Sequence, residues 1–307
     1  MSKRNMLETY YTLFSLIEKN PRIQPNAIAT YFGKTGRGRS PSTFMRHIQN
    51  MYKKGISREP RLTLKPFENC QNTIYFCKKT DKQDTFTTFL NLYNDKQITY
   101  VILLSGRDFL ITSREKELNL RKFGLEIEEK SKLYTPIYTI PEGWNISVSE
   151  ALDGFVNSDF EKGLISREVY GRLQWSKVDW AIYDFMRENM RHKFTAAARK
   201  VGVYPKTAKY HFFENILPNC VIAHYFFPKG YSVYQRMLLK IQSEHERGIV
   251  ASLKKLPCTS YVFPLEKELI LILFHDGVSK ILGTFQEMKD IGIINDYLFY
   301  VPIVSAY

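Results

Sequence analysis

The 307-residue sequence predicts an α+β chain built from two helix-turn-helix domains and two ferredoxin-like β-α-β-β-α-β modules. Three observations predict it: a short segment recurs, the helices upstream of it recur with it, and the strand-and-helix order that follows runs twice. "SPSTFMRHI" (40–48) and "YPKTAKYHF" (204–212) share proline, threonine and histidine at a constant offset of 164. Upstream, "LFSLIEKNPRIQPNAIATYFG" (13–33) and "IYDFMRENMRHKFTAAARKVG" (182–202) pair Leu13 with Ile182, Ala27 with Ala196, Ala29 with Ala198 and Gly33 with Gly202 at an offset of 169. The first copy therefore carries five extra residues, and they fall in "KTGRGRS".

Each copy opens with three helices. Apolar residues at helical spacing, Leu13, Leu16 and Ile17 in one copy and Ile182, Phe185 and Met186 in the other, mark the first. Short second helices are predicted over about 25–32 and 195–201. Gly33 and Gly202 follow, where a helix end turns left-handed, a conformation that glycine adopts most cheaply. The third helix starts at Ser40 or Tyr204 followed by proline, which suits a first helical turn. This is the pattern of a helix-turn-helix with a proline-primed third helix.

The modules come next. In the first, "TIYFCK" (73–78) reads as a strand and "DTFTTFLNLYN" (84–94) as an amphipathic helix; "ITYVILL" and "DFLITS" read as a strand pair around "SGR", before a shorter helix and the strand "KLYTPIYTI". The second repeats the order with "VYQRMLLKIQ" (233–242), a helix over 245–256, "TSYVFPL", "ELILILF", a helix over 278–290 and "DYLFYVPIV". Tyr100 and Val101 match Tyr261 and Val262 at an offset of 161. The 35 residues of 142–176 belong to neither copy and are too long for a bare loop, so they read as a helical connector. The expected domains are 1–66 and 177–230 for the helix-turn-helix units, 67–141 and 231–307 for the modules, and 142–176 for the connector.

Bulk properties narrow the function. A net charge of +13 and a pI near 9.4 attract polyanions such as DNA, RNA or anionic lipid. The lysines and arginines are spread over several segments rather than along one amphipathic face, which disfavours a membrane surface. No apolar run approaches the ~18 residues that cross a bilayer, and the amphipathic opening is unlike a signal sequence, so a soluble cytoplasmic protein is expected. Cys70, Cys77, Cys220 and Cys258 form no C-x-x-C pair and read as reduced, mostly buried thiols rather than a metal site.

A helix-turn-helix followed by this module resembles the Lrp/AsnC family of transcription regulators, also called feast/famine regulatory proteins. The second copy is similar to that family's helix-turn-helix from Asp179 through "ARKVGV" and Thr207 to the wing-like exit "VIAHYFFPKGY". "LLSGRDFLITSR" (103–114) resembles its "SG-x-D" hairpin. The resemblance implies winged helix-turn-helix heads and modules paired face to face, here as an intramolecular pseudo-dimer. It also implies a sequence-specific DNA-binding regulator, not an enzyme, with no cofactor, double-stranded DNA as partner and self-association through the modules. An amino-acid effector would sit at the hairpin of Ser105, Gly106 and Asp108.

On that reading the third helix enters the major groove with Ser40, Ser42, Thr43, Arg46, His47 and Asn50 on or beside the reading face. Arg46 is the best base reader, since a guanidinium bonds guanine through two parallel hydrogen bonds. Lys206, Thr207, Lys209, Tyr210 and His211 are the second copy's equivalents, suited more to phosphate. Arg37 lies between Gly36 and Gly38 and Arg39 follows Gly38, glycines that let the backbone approach a phosphate, and Arg58 and Arg61 follow the helix. A structural alternative stands beside these roles: the threonines cap a helix start and the histidines pack against the first helix.

A nucleotide-binding P-loop is excluded. Position 28, five before Gly33, is isoleucine, and the segment follows a helix rather than a strand. No nucleophile-elbow, kinase or zinc-deaminase motif occurs. Two alternatives stay open: siroheme decarboxylases, enzymes with a related Lrp-like architecture, and a basic architectural protein that binds nucleic acid without sequence preference.

Overall fold

The computed structural model describes residues 3–33, 40–80, 82–115 and 117–306. Helices α1 (Lys3–Lys19), α2 (Pro25–Tyr31) and α3 (Pro41–Lys53) make the first head. Tyr10, Leu13, Phe14 and Ile17 recur every three or four residues on α1 and close over Ile28, Ala29, Phe44, Ile48 and Met51. Ser40 caps α3, its hydroxyl accepting the Thr43 amide at 3.3 Å. Gly33 and Gly202 both take positive φ, 74° and 77°.

Strand β1 (Arg61–Leu64) leaves the head for β2 (Thr73–Lys79), α4 (Thr85–Tyr93), β3 (Ile98–Leu104), β4 (Asp108–Ser113) and β5 (Leu125–Lys132), and β6 (Ile137–Tyr138) follows. The shorter helix expected between β4 and β5 is one 3-10 turn, Arg121–Phe123. Period-two burial sets the faces of this sheet. Ile74, Phe76, Ile102, Leu104 and Leu110 point to the centre of the molecule, while Tyr75, Cys77, Val101, Leu103, Phe109 and Ile111 point to α4.

The connector is helical only in part. Helix α5 (Val148–Val156) starts at a Ser147–Glu150 capping box, but 157–175 runs on without a helix. Its backbone is pinned instead to its neighbours, with the Gly163 amide on Glu244 O at 2.8 Å and the Ile165 amide on Glu246 Oε2 at 2.8 Å. The buried Glu246 carboxylate is also gripped by Arg167 through both terminal guanidinium nitrogens.

Helices α6 (Lys177–Met186), α7 (Phe194–Val201) and α8 (Pro205–Tyr210) make the second head. Its third helix, unlike α3, gives way to a wider π-helical turn at His211–Ile216. After β7 (Cys220–Ala223) come β8 (Gln235–Gln242), α9 (Glu246–Ser252), β9 (Tyr261–Pro264), β10 (Leu269–His275), α10 (Val278–Asp290), β11 (Asp296–Tyr300) and β12 (Pro302–Ala306). The single final strand expected in "DYLFYVPIV" is thus two. Pro302 has no amide to continue the ladder, so the chain turns off its sheet there.

The turn-off exchanges strands between the halves. One sheet runs β12-β3-β4-β2-β5 and the other β11-β8-β10-β9-β6, with every pair antiparallel. Each sheet is therefore completed by a strand from the other half, and Pro136-Ile137 and Pro302-Ile303 make the two crossings. The heads exchange too: β1 pairs with β7, Leu62 enters the core of the second head, and Phe226 enters that of the first. Two arginines repeat the exchange. Arg22 donates to the carbonyls of Met190 and His192 and lies 4.2 Å from the Phe194 ring, while Arg191 donates to those of Pro21 and Ile23 at 2.7 and 3.2 Å.

Charge-assisted hydrogen bonds of this kind contribute ~1.5–3 kcal/mol each. Arg191→Ala is expected to lower stability by about 2 kcal/mol in denaturant unfolding and to speed amide exchange at the joint between the heads. Unchanged exchange there would show that the arginines do not hold the heads.

Candidate functional site

Where the central faces of the two sheets meet beneath β1, they leave a cavity of about 700 Å³. That volume suits a ligand well above amino-acid size. β3 and β4 contribute Tyr100, Ile102, Leu110 and Thr112, β8 to β10 contribute Arg236, Leu238, Tyr261, Phe263, Ile270 and Ile272, and the exchanged strands contribute Tyr138 and Ile303. Alternation explains the choice, since every second residue of a strand faces inward.

The lining combines two chemistries. Arg58, Arg61, Arg114, Arg187 and Arg236 face it against one carboxylate, Glu188. Glu188 sits 2.9 Å from Arg61 and 3.7 Å from Arg187, at the rim. The same lining carries a group of rings: Tyr225 and Tyr261 have centroids 4.8 Å apart, and Tyr138 is 5.7 Å from each. Tyr138 Oη also lies 3.4 Å from Thr63 Oγ1. Arg58 stacks 4.6 Å above the Tyr231 ring, and Arg236 donates to Ser305 Oγ at 3.0 Å. Burial pushes the Tyr183 phenol up to about 12, with Cys220 adding to the rise, so it keeps its proton at neutral pH.

Such a lining is chemically suited to several carboxylates at once. Guanidinium stays charged at any physiological pH and pairs carboxylate oxygens two at a time, while clustered phenol rings and isoleucines offer an apolar surface to a flat body.

The residues singled out from the sequence lie largely elsewhere. Ser40, Ser42, Arg46, Asn50, Lys206, Lys209 and Tyr210 are exposed on the heads, with Thr43 and Thr207 half-buried beside them; Arg37 and Arg39 lie outside the described residues. The histidines face their first helices: His47 meets the Tyr10 ring edge-on at 6.4 Å, and His211 Nδ1 lies 2.8 Å from Asp179 Oδ1. Of the residues singled out, Arg58 and Arg61 reach the cavity. Ser105, Gly106 and Asp108 form the turn between β3 and β4 but do not line it. Ser105 instead holds the β11–β12 crossing, its amide donating to Val301 O at 3.0 Å and its hydroxyl accepting the Val301 amide at 3.4 Å.

Arg114, Arg187, Arg236 and the tyrosines went unnoticed in the sequence because hydropathy alternation does not say which face of a strand meets a second sheet. One signal pointed there: the matched Tyr100 and Tyr261 both line the cavity.

No protein-family model matches the chain, and no curated protein matches it in sequence. In fold it is similar to the crystal structure of the siroheme decarboxylase NirDL, with a TM-score of 0.56 and 9% identity over 98% of this chain and 91% of that one. The same decarboxylase in complex with an iron-uroporphyrin III analogue matches at a TM-score of 0.49 and 9% identity, over 99% and 92% of the two chains. The likeness is one of fold, a mixed α+β architecture. It corrects the expectation of a DNA-binding regulator that is not an enzyme, because the solved structure sharing the fold along nearly its whole length is an enzyme. The physical reason lies in the charge: five arginines that the composition assigned to a polyanion outside the molecule converge on a cavity within it. Among the described residues no helix is long and apolar enough to cross a membrane.

The Asp179–His211 pair makes a check on the second head. Burial pushes the Asp179 carboxyl up, but hydrogen bonds from Ser176, Asn215 and His211 outweigh it and hold it below its ordinary value. A carboxyl depressed by folding adds stability above its unfolded value near 3.8 and loses it as pH falls through the folded one. Asp179→Ala is expected to cost about 2 kcal/mol at neutral pH, with the gap to wild type closing in acid, as measured by denaturant midpoints across pH.

Proposed function

We propose that the chain is an enzyme that removes CO₂ from a carboxylated tetrapyrrole. The arginine-walled cavity carries the reading, and the fold shared with a siroheme decarboxylase supports it. A tetrapyrrole bears several carboxylates around a flat ring, the two chemistries that the lining combines. The chain then comprises two Lrp-type halves: winged heads at 1–66 and 177–230, ferredoxin-like modules at 67–141 and 231–307, and the connector 142–176.

In this reading Arg58, Arg61, Arg114, Arg187 and Arg236 hold the carboxylates that stay, and the ring lies against Tyr138, Tyr225 and Tyr261. An acetate arm turned toward the apolar lining loses the water that stabilises its charge. Its bond to CO₂ breaks, the electron pair passes to the methylene carbon in conjugation with the ring, and CO₂ leaves. A phenol then supplies the proton that makes the methyl group, and solvent restores it. Tyr183, a buried phenol in the lining, is the residue proposed to do so.

Anaerobic titration with siroheme, followed by mass spectrometry of the product, tests the reading. Binding at about one per chain with release of CO₂ is expected. Arg114→Ala and Arg236→Ala should each weaken binding by about 10-fold or more, whereas Tyr183→Phe should bind normally and turn over ~10²-fold more slowly or worse. Failure of siroheme to bind, or binding indifferent to the arginines, would sink the proposal.

A further inference from the structure

Helices α4 and α9 hold equivalent places, each following the first strand of its sheet and preceding the second. Their outer surfaces differ. On α9 the connector lies so close that a Cβ on Gly248 would meet Glu161 N at 2.5 Å, and Glu246, Ile249 and Val250 are buried. On α4, Phe89 and Leu92 pack inward, yet Phe86, Leu90 and Tyr93 remain 54%, 41% and 49% exposed. Those three recur at i, i+4 and i+7, a single stripe, on a helix that is apolar on both faces.

We propose that this stripe is where two copies of the chain associate, α4 packing antiparallel on α4 about a two-fold axis near Leu90. Charge selects a second copy as the occupant. Two chains of +13 repel over most of their surfaces, but "TFTTFLNLY" contains no charged residue. The ends of the helix complete the match. Asp84 caps the N-terminus, its carboxylate accepting the Thr87 amide at 2.8 Å, and past the C-terminus Asp95 is neutralised by Lys122 at 2.6 Å, which leaves Lys96 as the charge there. An antiparallel pair therefore sets Asp84 of each copy beside Lys96 of the other, which a parallel pair does not. A contact of three half-exposed side chains per copy is small, so the association is weak and reversible.

Sedimentation equilibrium of the full-length chain from micromolar to submillimolar concentration tests this. A monomer–dimer equilibrium is expected, abolished by Leu90→Lys and retained by Ile127→Lys, which charges an exposed apolar position on β5. Leu90→Cys leaves the helix uncharged and, under mild oxidant, should give a disulfide-linked dimer that the wild type does not. A chain monomeric throughout that range, a dimer indifferent to Leu90→Lys, or Leu90→Cys that fails to cross-link would each overturn the proposal. None of these outcomes depends on what fills the central cavity.

Discussion

The structure depends on one constraint: neither half is complete without strands and side chains from the other. Without the exchanged strands the two sheets would leave open edges at β3 and β9, and open edges recruit other chains. Here β12 fills that edge on β3, and β6 fills it on β9. The heads obey the same rule through Leu62, Phe226 and the crossed arginines Arg22 and Arg191. Lys240 adds a bond across the sandwich, paired with Glu129 of the opposite sheet and with Glu268 at 3.2 Å. Because the sheets are tied at their edges, the space between their centres can stay open, and that space is the cavity.

Much of the architecture was legible in local pattern. The helices of the heads followed from apolar spacing and proline starts, and both glycine turns fell where a left-handed residue was needed. The run "DFLITS" coincides with β4, and the helix read over 278–290 coincides with α10. What local pattern does not carry is the choice of partner. Pro136-Ile137 and Pro302-Ile303 recur at an offset of 166, yet a proline within a strand-like run says only that the ladder stops. Which sheet receives the next residues is decided by contacts more than a hundred residues away. The connector misled for a related reason, since 157–175 stays extended because α9 and its neighbours supply the backbone partners that a helix would have supplied itself.

The site was less legible than the fold because composition reports charge without its address. A basic chain with helix-turn-helix heads reads as a partner for an external polyanion. Arg22 and Arg191, within the heads, are turned instead onto carbonyls of the opposite head, and five further arginines face the cavity. Arg58 and Arg61 were singled out as basic residues beyond the third helix, which was correct about their charge and silent about their direction. β1 supplies that direction. Its pairing with β7 carries the chain over the mouth of the cavity, and Arg61 sits at its first position.

The asymmetry of the lining follows from having both halves in one chain. In a dimer of identical chains a cavity on the two-fold axis receives each lining residue twice, so an arginine wall would face its own copy and the charges would repel. Two unlike halves escape that restriction. Arg61 and Tyr225 stand at the offset of 164 that relates the heads, and both line the cavity, one as a cation and one as a ring. Arg236 faces the cavity from β8, where β2 presents Ile74. The lining can therefore carry cations that carboxylates neutralise beside rings against which a flat body lies, with neither set repeated across the cavity.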